Sequence, residues 1–163
     1  MLRWWPPKRT ADIHASDPKA RRAAISAADV GQNVLRRMVC HDPDAGVREA
    51  AALRLKDLVI LRQVLECDQA IAVREAARSR YRQLLAGGDD FELSYRLAAL
   101  QVCRDGQILA HVARSAREPE IRQAAVARAE DSRLLAEIIQ HDPDAAVRAA
   151  AEKRYQALFG VAD

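Results

Sequence analysis

The sequence has few aromatic residues. Only 4% of its 163 residues are Phe, Trp or Tyr, and none falls between Trp5 and Tyr81. Glycine and proline are also scarce, at six each. A β-sandwich or barrel draws on β-branched and aromatic strand residues and on frequent Gly/Pro turns, so the composition argues against that class. The three cysteines, Cys40, Cys67 and Cys103, are odd in number and form no C-x-x-C pair. They point to a reducing setting in which the thiols serve as small buried hydrophobes. Long apolar runs are missing too: Leu58-Val59-Ile60-Leu61 is as long as any, far short of a bilayer span. The first residues, Met1-Leu2-Arg3-Trp4-Trp5-Pro6-Pro7, lack the apolar stretch and small-residue cleavage site of a signal peptide. A cytoplasmic protein without a membrane span is expected.

What is present is alanine, aliphatic residues and arginine. Half the chain is hydrophobic, 30% is charged, and alanine fills 33 positions. That apolar fraction, with a net charge of only +3, excludes extended disorder. A chain of this length buries roughly 70% of its unfolded surface, so it needs neither disulfide nor structural metal. The charge is uneven: residues 1–40 hold eight Lys/Arg and three acids, and the other 123 hold 18 basic and 20 acidic groups. The basic character therefore belongs to the N-terminal end.

Self-similarity organises the rest. Apolar-Arg-x-Ala-Ala occurs as Val47-Arg48-Glu49-Ala50-Ala51, Val73-Arg74-Glu75-Ala76-Ala77, Ile121-Arg122-Gln123-Ala124-Ala125 and Val147-Arg148-Ala149-Ala150-Ala151. Weaker copies surround Arg21 and Arg96, so the arginines are spaced 27, 26, 22, 26 and 26 residues apart. A longer period of about 74 residues lies above this one, relating Arg48 to Arg122, Arg74 to Arg148, Asp57 to Asp131 and Gly31-Gln32 to Gly106-Gln107. The chain reads as a tandem duplication, with Gly87-Gly88-Asp89-Asp90 as the turn at the join.

Each unit divides into two helical stretches. In residues 42–67, Asp42-Pro43-Asp44 is a turn and N-cap signal, and Val47, Ala50, Ala51 and Leu55 follow at helical spacing. Asp57 is placed to cap a second helix with the apolar stripe Leu58, Leu61, Val64 and Leu65. One such pair cannot bury its apolar face alone, but stacked pairs can, and alanine pairs allow close approach. The pattern predicts ten helices, near 19–28, 32–40, 46–55, 58–67, 72–86, 91–103, 107–116, 120–129, 132–140 and 145–159. The expected fold is an all-α solenoid of about six units. Residues 1–15 form a basic, aromatic cap or arm, and residues 16–160 a single domain built of copies 16–88 and 89–160.

These residues resemble short bacterial HEAT-like repeats of the Asp-Pro-x-Val-Arg-x-Ala-Ala type, as in the N-terminal region of a bacterial family of unknown function. The resemblance covers about Ser16 to Phe159. It implies that an Asp six residues before the Arg joins a ladder between adjacent units. Asp42 precedes Arg48, Asp68 precedes Arg74, Asp90 precedes Arg96 and Asp142 precedes Arg148 by that distance. Before Arg21 and Arg122 the position holds Ala15 and Ala116, with Asp17 and Glu118 four residues ahead of the Arg instead. The resemblance implies an altered ladder at those two places.

The recurring arginines have two readings, a structural ladder and a basic ridge for an anionic partner; the phased aspartates favour the ladder. Arg74, Arg78 and Arg82 form one basic stripe beside Tyr81, which could meet nucleic acid or be a solvated face. Trp4 and Trp5 could anchor a partner or cap the first unit. His41, Cys67 and His141 share one loop position in different units, too far apart to share a metal, so no metal is expected. No G-x-S-x-G, H-E-x-x-H or phosphate-loop motif occurs, so neither an enzyme nor a cofactor is expected. The function read from the sequence is a protein-binding scaffold presenting Glu49, Glu75, Arg78, Arg82, Gln123 and Glu152, with Trp4 and Trp5 as further candidates. The alternative is nucleic-acid binding through the basic N-terminus and the Arg74/Arg78/Arg82 stripe.

Overall fold

The computed structural model describes residues 12–27, 29–87 and 91–160. Trp4, Trp5 and Asp90, for which the sequence suggests roles, and most of the N-terminal arm lie outside these residues. The described residues form ten α-helices and no strand: α1 Pro18–Ala27, α2 Gln32–His41, α3 Ala45–Arg54, α4 Leu58–Cys67, α5 Ile71–Leu85, α6 Leu93–Val102, α7 Gly106–Ser115, α8 Pro119–Val126, α9 Ser132–His141 and α10 Ala145–Phe159. None is long and apolar enough to cross a membrane.

The helices start where aspartate can cap them. Asp44, Asp57, Asp105, Asp131 and Asp144 each accept hydrogen bonds from backbone N–H groups two or three residues on, at 2.8–3.3 Å. Each such cap is worth ~1 kcal/mol. The predicted boundaries differ most at α8, expected to reach residue 129 but ending at Val126. There the backbone tightens, with Arg128 N donating to Ala125 O and Ala129 N to Val126 O, and leaves four residues to turn towards the Asp131 cap.

The chain separates into two compact units, Met1–Ala77 and Arg78–Asp163. The boundary lies inside α5, ahead of the glycine-rich join. The C-terminal half of that helix belongs to the second unit, where Tyr81 is 1% exposed and its hydroxyl donates to Ala99 O at 3.1 Å. In the first unit α1 packs on α3, and α2 on both α3 and α4. In the second, α6 and α10 flank α8, while α7 and α9 pack together.

The apolar stripes face inwards. Leu58, Leu61, Val64 and Leu65 of α4 are buried, as are Leu134, Leu135 and Ile138 of α9. In α3, α8 and α10 the motif's second alanine (Ala51, Ala125, Ala151) has no exposed surface, whereas Ala50, Ala124 and Ala150 are half-buried. In these three helices the contacts are therefore made at one alanine of the pair, while α5 buries both Ala76 and Ala77. Two of the three cysteines depart from expectation: Cys103 is buried, but Cys40 and Cys67 are exposed. They occupy the last turns of α2 and α4, where the neighbouring stripe residues already fill the core.

The close approach at the second alanine makes it intolerant of volume. Ala125→Leu is expected to lower the unfolding free energy by about 1–3 kcal/mol, and Ala124→Leu by less than half as much. Urea denaturation of the two variants measures the difference.

Candidate functional site

The recurring arginines share one arrangement. Arg21 turns Nη1 back to the carbonyls of Ala15 and Ser16 at 2.9 and 3.0 Å, while Nε and Nη2 hold both carboxylate oxygens of Asp42 at 2.9 and 2.8 Å. Arg48 does the same with the carbonyls of Asp42 and Pro43 and the carboxylate of Asp68. Arg122 repeats it with the carbonyls of Ala116 and Arg117 and the carboxylate of Asp142. Each guanidinium thus ties the loop before its own helix to the next such loop along the chain, in the bidentate geometry that suits arginine.

This geometry changes the expected ladder. For Arg21, Arg48, Arg74, Arg122 and Arg148 the residue six before contributes its carbonyl to that Arg, while the carboxylates of Asp42, Asp68 and Asp142 serve the preceding Arg. A side chain at that position is therefore not needed by its own Arg, and Arg21 and Arg122 make complete clamps despite Ala15 and Ala116. The alteration falls on Arg96 instead. Its carboxylate comes from Glu118, which reaches Nη1 alone at 2.7 Å. Arg96 is 4% exposed, and its Nε has no hydrogen-bond partner among the described residues.

The aspartates are buried further by their other contacts. Oδ1 of Asp42, Asp68 and Asp142 also accepts a backbone N–H two residues on, at 2.9 Å in each case. At Asp142 burial works against the charged form. The hydrogen bonds from Arg122 and Asp144 N, together with the Arg122 and Arg148 charges, outweigh it and hold the carboxyl below its usual pKa. At Asp68 the Arg48 hydrogen bond is the largest influence, and the pKa is again lowered.

A second arginine row lies outside the Val-Arg-x-Ala-Ala motif. Arg54 Nη1 donates to Ile25 O, Arg128 Nη2 to Cys103 O at 2.9 Å and Arg154 Nε to Ala129 O at 2.8 Å. The signal was present, since Arg54 and Arg128 are 74 residues apart and Arg128 and Arg154 are 26 apart.

The candidate binding residues are not equivalent. Glu75, Arg82, Gln123 and Glu152 are exposed, whereas Glu49 is half-buried. Arg78 is paired with the Asp105 carboxylate at 2.7 Å, on the wall of a cleft of about 720 Å³ that Arg104, Arg128, Asp131 and Leu134 also line. Arg74 Nη1 donates to the carbonyls of Asp68 and Gln69. The three members of the basic stripe therefore have different surroundings. Arg82 instead shares a groove of about 600 Å³ with His111, Arg117, Ser79, Gln83 and Ser115, and no described carboxylate lines it. Burial, then the charge of Arg82, lowers the His111 pKa. Arg117 is held against the end of α5 by its N–H, which donates to Ala86 O at 3.2 Å. Gly87 makes that turn possible with φ of +100°, a conformation that strains any other residue.

Compared with protein-family models, with curated proteins and with solved structures, the chain matches none.

Removing one partner of a buried, hydrogen-bonded ion pair costs about 3–5 kcal/mol. Arg122 and Asp142 side chains are 10% and 3% exposed, so Asp142→Asn is expected to destabilise the chain by that order at pH 7. The folded-state pKa of Asp142 lies below its unfolded value. Its ionic contribution is therefore complete above the unfolded pKa of ~3.9 and disappears as pH falls through the folded value. The stability gap between wild type and Asp142→Asn should narrow over that acidic window, as measured by denaturation at stepped pH.

Proposed function

We propose that the chain is a HEAT-like helical solenoid of about six short units, acting in the cytoplasm as a non-catalytic protein-binding scaffold. The observation that carries this reading is the occupation of Arg21, Arg48 and Arg122 by loop carbonyls and carboxylates. The motif's most recurrent charged residue thereby builds a frame. Side chains that differ between motif copies, Glu75 and Gln123, are left exposed beside it. A frame with variable outward side chains suits recognition by surface complementarity over an extended face.

Glu75→Arg with Gln123→Arg is expected to abolish photo-cross-linking to a protein partner in host extract, with the melting temperature unchanged. Cross-linking that survives this double substitution would count against the face. Turnover of a small substrate, lost on changing Arg104 and Arg128 in the 720 Å³ cleft, would overturn the non-catalytic reading.

The groove of Arg82, His111 and Arg117 supports a second reading, nucleic-acid binding. Here Arg82→Gln with Arg117→Gln should weaken DNA or RNA binding and flatten its salt dependence. Because the His111 pKa is lowered, binding should tighten as pH falls through that lowered value and the imidazole gains its proton. Fluorescence anisotropy at low salt tests both points, and no binding there would end this reading.

A further inference from the structure

Five motif arginines share one anchor on the preceding loop, and Arg74, on Asp68 O and Gln69 O, is one of them; three of the five show what such an arginine is built to hold. In Arg21, Arg48 and Arg122, Nη1 is anchored on two carbonyls of the preceding loop, and this anchoring directs the Nε–Nη2 edge at a carboxylate. Arg148 has the same anchor, with Nη1 donating to Asp142 O at 2.7 Å and Pro143 O at 3.1 Å. No described carboxylate takes its Nε–Nη2 edge. The guanidinium is fixed in a carboxylate-clasping orientation with that edge available.

The helix face beside it is open as well. Positions four and seven residues after the motif arginine are buried in and just beyond α3 (Ala52 0%, Leu55 0%) and α8 (Val126 0%, Ala129 3%). In α10 the same positions hold Glu152, which is exposed, and Tyr155, which is half-buried. One turn on, Phe159 is 44% exposed and meets Tyr155 at a ring-centroid distance of 5.2 Å. A face that α3 and α8 bury here presents an acid and two rings.

A carboxylate of the required kind stands at the start of α1. Asp17-Pro18 matches Glu118-Pro119: each acid directly precedes the helix-opening proline and lies four residues before the motif arginine. Glu118 is the acid that takes Arg96, at Nη1; the Nε–Nη2 edge of Arg148 asks for the two-oxygen grip that Asp42, Asp68 and Asp142 give. Asp17 is exposed; Oδ1 accepts Lys19 N at 3.0 Å, and no described arginine hydrogen-bonds to it. The exposed α1 residues Lys19, Arg22 and Ala23 complement the Glu152 charge and leave room for the rings.

We infer that a second copy of this chain docks the Asp17-Pro18 end of α1 on the open face of α10, with Arg148 clasping Asp17. The contact is heterologous, so each bound copy presents the same two surfaces again and association continues unless the rotation closes a ring. It uses neither Glu75 nor Gln123 and does not depend on the scaffold reading.

The test is sedimentation of the full chain over a concentration series. The wild type is expected to rise above its monomer mass of 18.1 kDa as concentration increases. Arg148→Glu and Asp17→Asn should each weaken association by at least about tenfold, with unchanged helical circular dichroism. Mixed in equal amounts, the two single variants should give a heterodimer that grows no further. One retains an intact Asp17, the other an intact Arg148, and their remaining ends are blocked. A wild type that stays monomeric at millimolar concentration overturns the inference. So does association indifferent to Arg148→Glu, or a mixture that behaves as its separate components.

Discussion

A guanidinium has two usable sides, and this protein assigns them different tasks. One nitrogen holds the loop that precedes the arginine's own helix; the other two grip a carboxylate from the next such loop. At Arg21, Arg48 and Arg122 the position of one loop relative to the following one thus depends on a rigid planar group that cannot be deprotonated. Lysine, a flexible point charge, could satisfy either side but would not fix the angle between them.

Magnitudes separate what holds the fold from what aligns it. Burying a Leu, Ile or Val side chain contributes about 1.5–3 kcal/mol, and the stripes of α4 and α9 supply seven such residues. Buried ion pairs recover their desolvation cost only with good geometry and satisfied hydrogen bonds. The Arg122–Asp142 pair meets that condition through two parallel bonds, two carbonyls and a backbone N–H. The monodentate Arg96–Glu118 pair meets it less well and leaves Nε buried without an acceptor. The aliphatic faces supply cohesion, and the arginines supply register.

Much of this was readable before any coordinates. Helical period, aspartate caps and the spacing of Val-Arg-x-Ala-Ala place all ten helices to within a few residues, because each signal is local. Which arginine an aspartate serves was not readable. Asp42 lies six residues before Arg48 and 21 after Arg21, and both separations suit one period. Only the direction of its carboxylate chooses, and that is set by its place at the C-cap of α2. The groove was hidden for a different reason. His111 and Arg117 come from α7 and the loop beyond, and no spacing rule ties them to Arg82 on α5. Arg54, Arg128 and Arg154 were within reach, since they follow the same periods as the motif arginines.

Asp142 ends α9, accepts the N–H of Asp144 and receives the Arg122 fork, while its carbonyl accepts Arg148. One residue is thus a termination signal, a turn and a junction. Fraying at the end of α9 cannot remain a local event, because the movement that releases the helix end also releases Arg122 and Arg148. Segments that would otherwise open one turn at a time are joined into a single cooperative element, and their amide protons should exchange together.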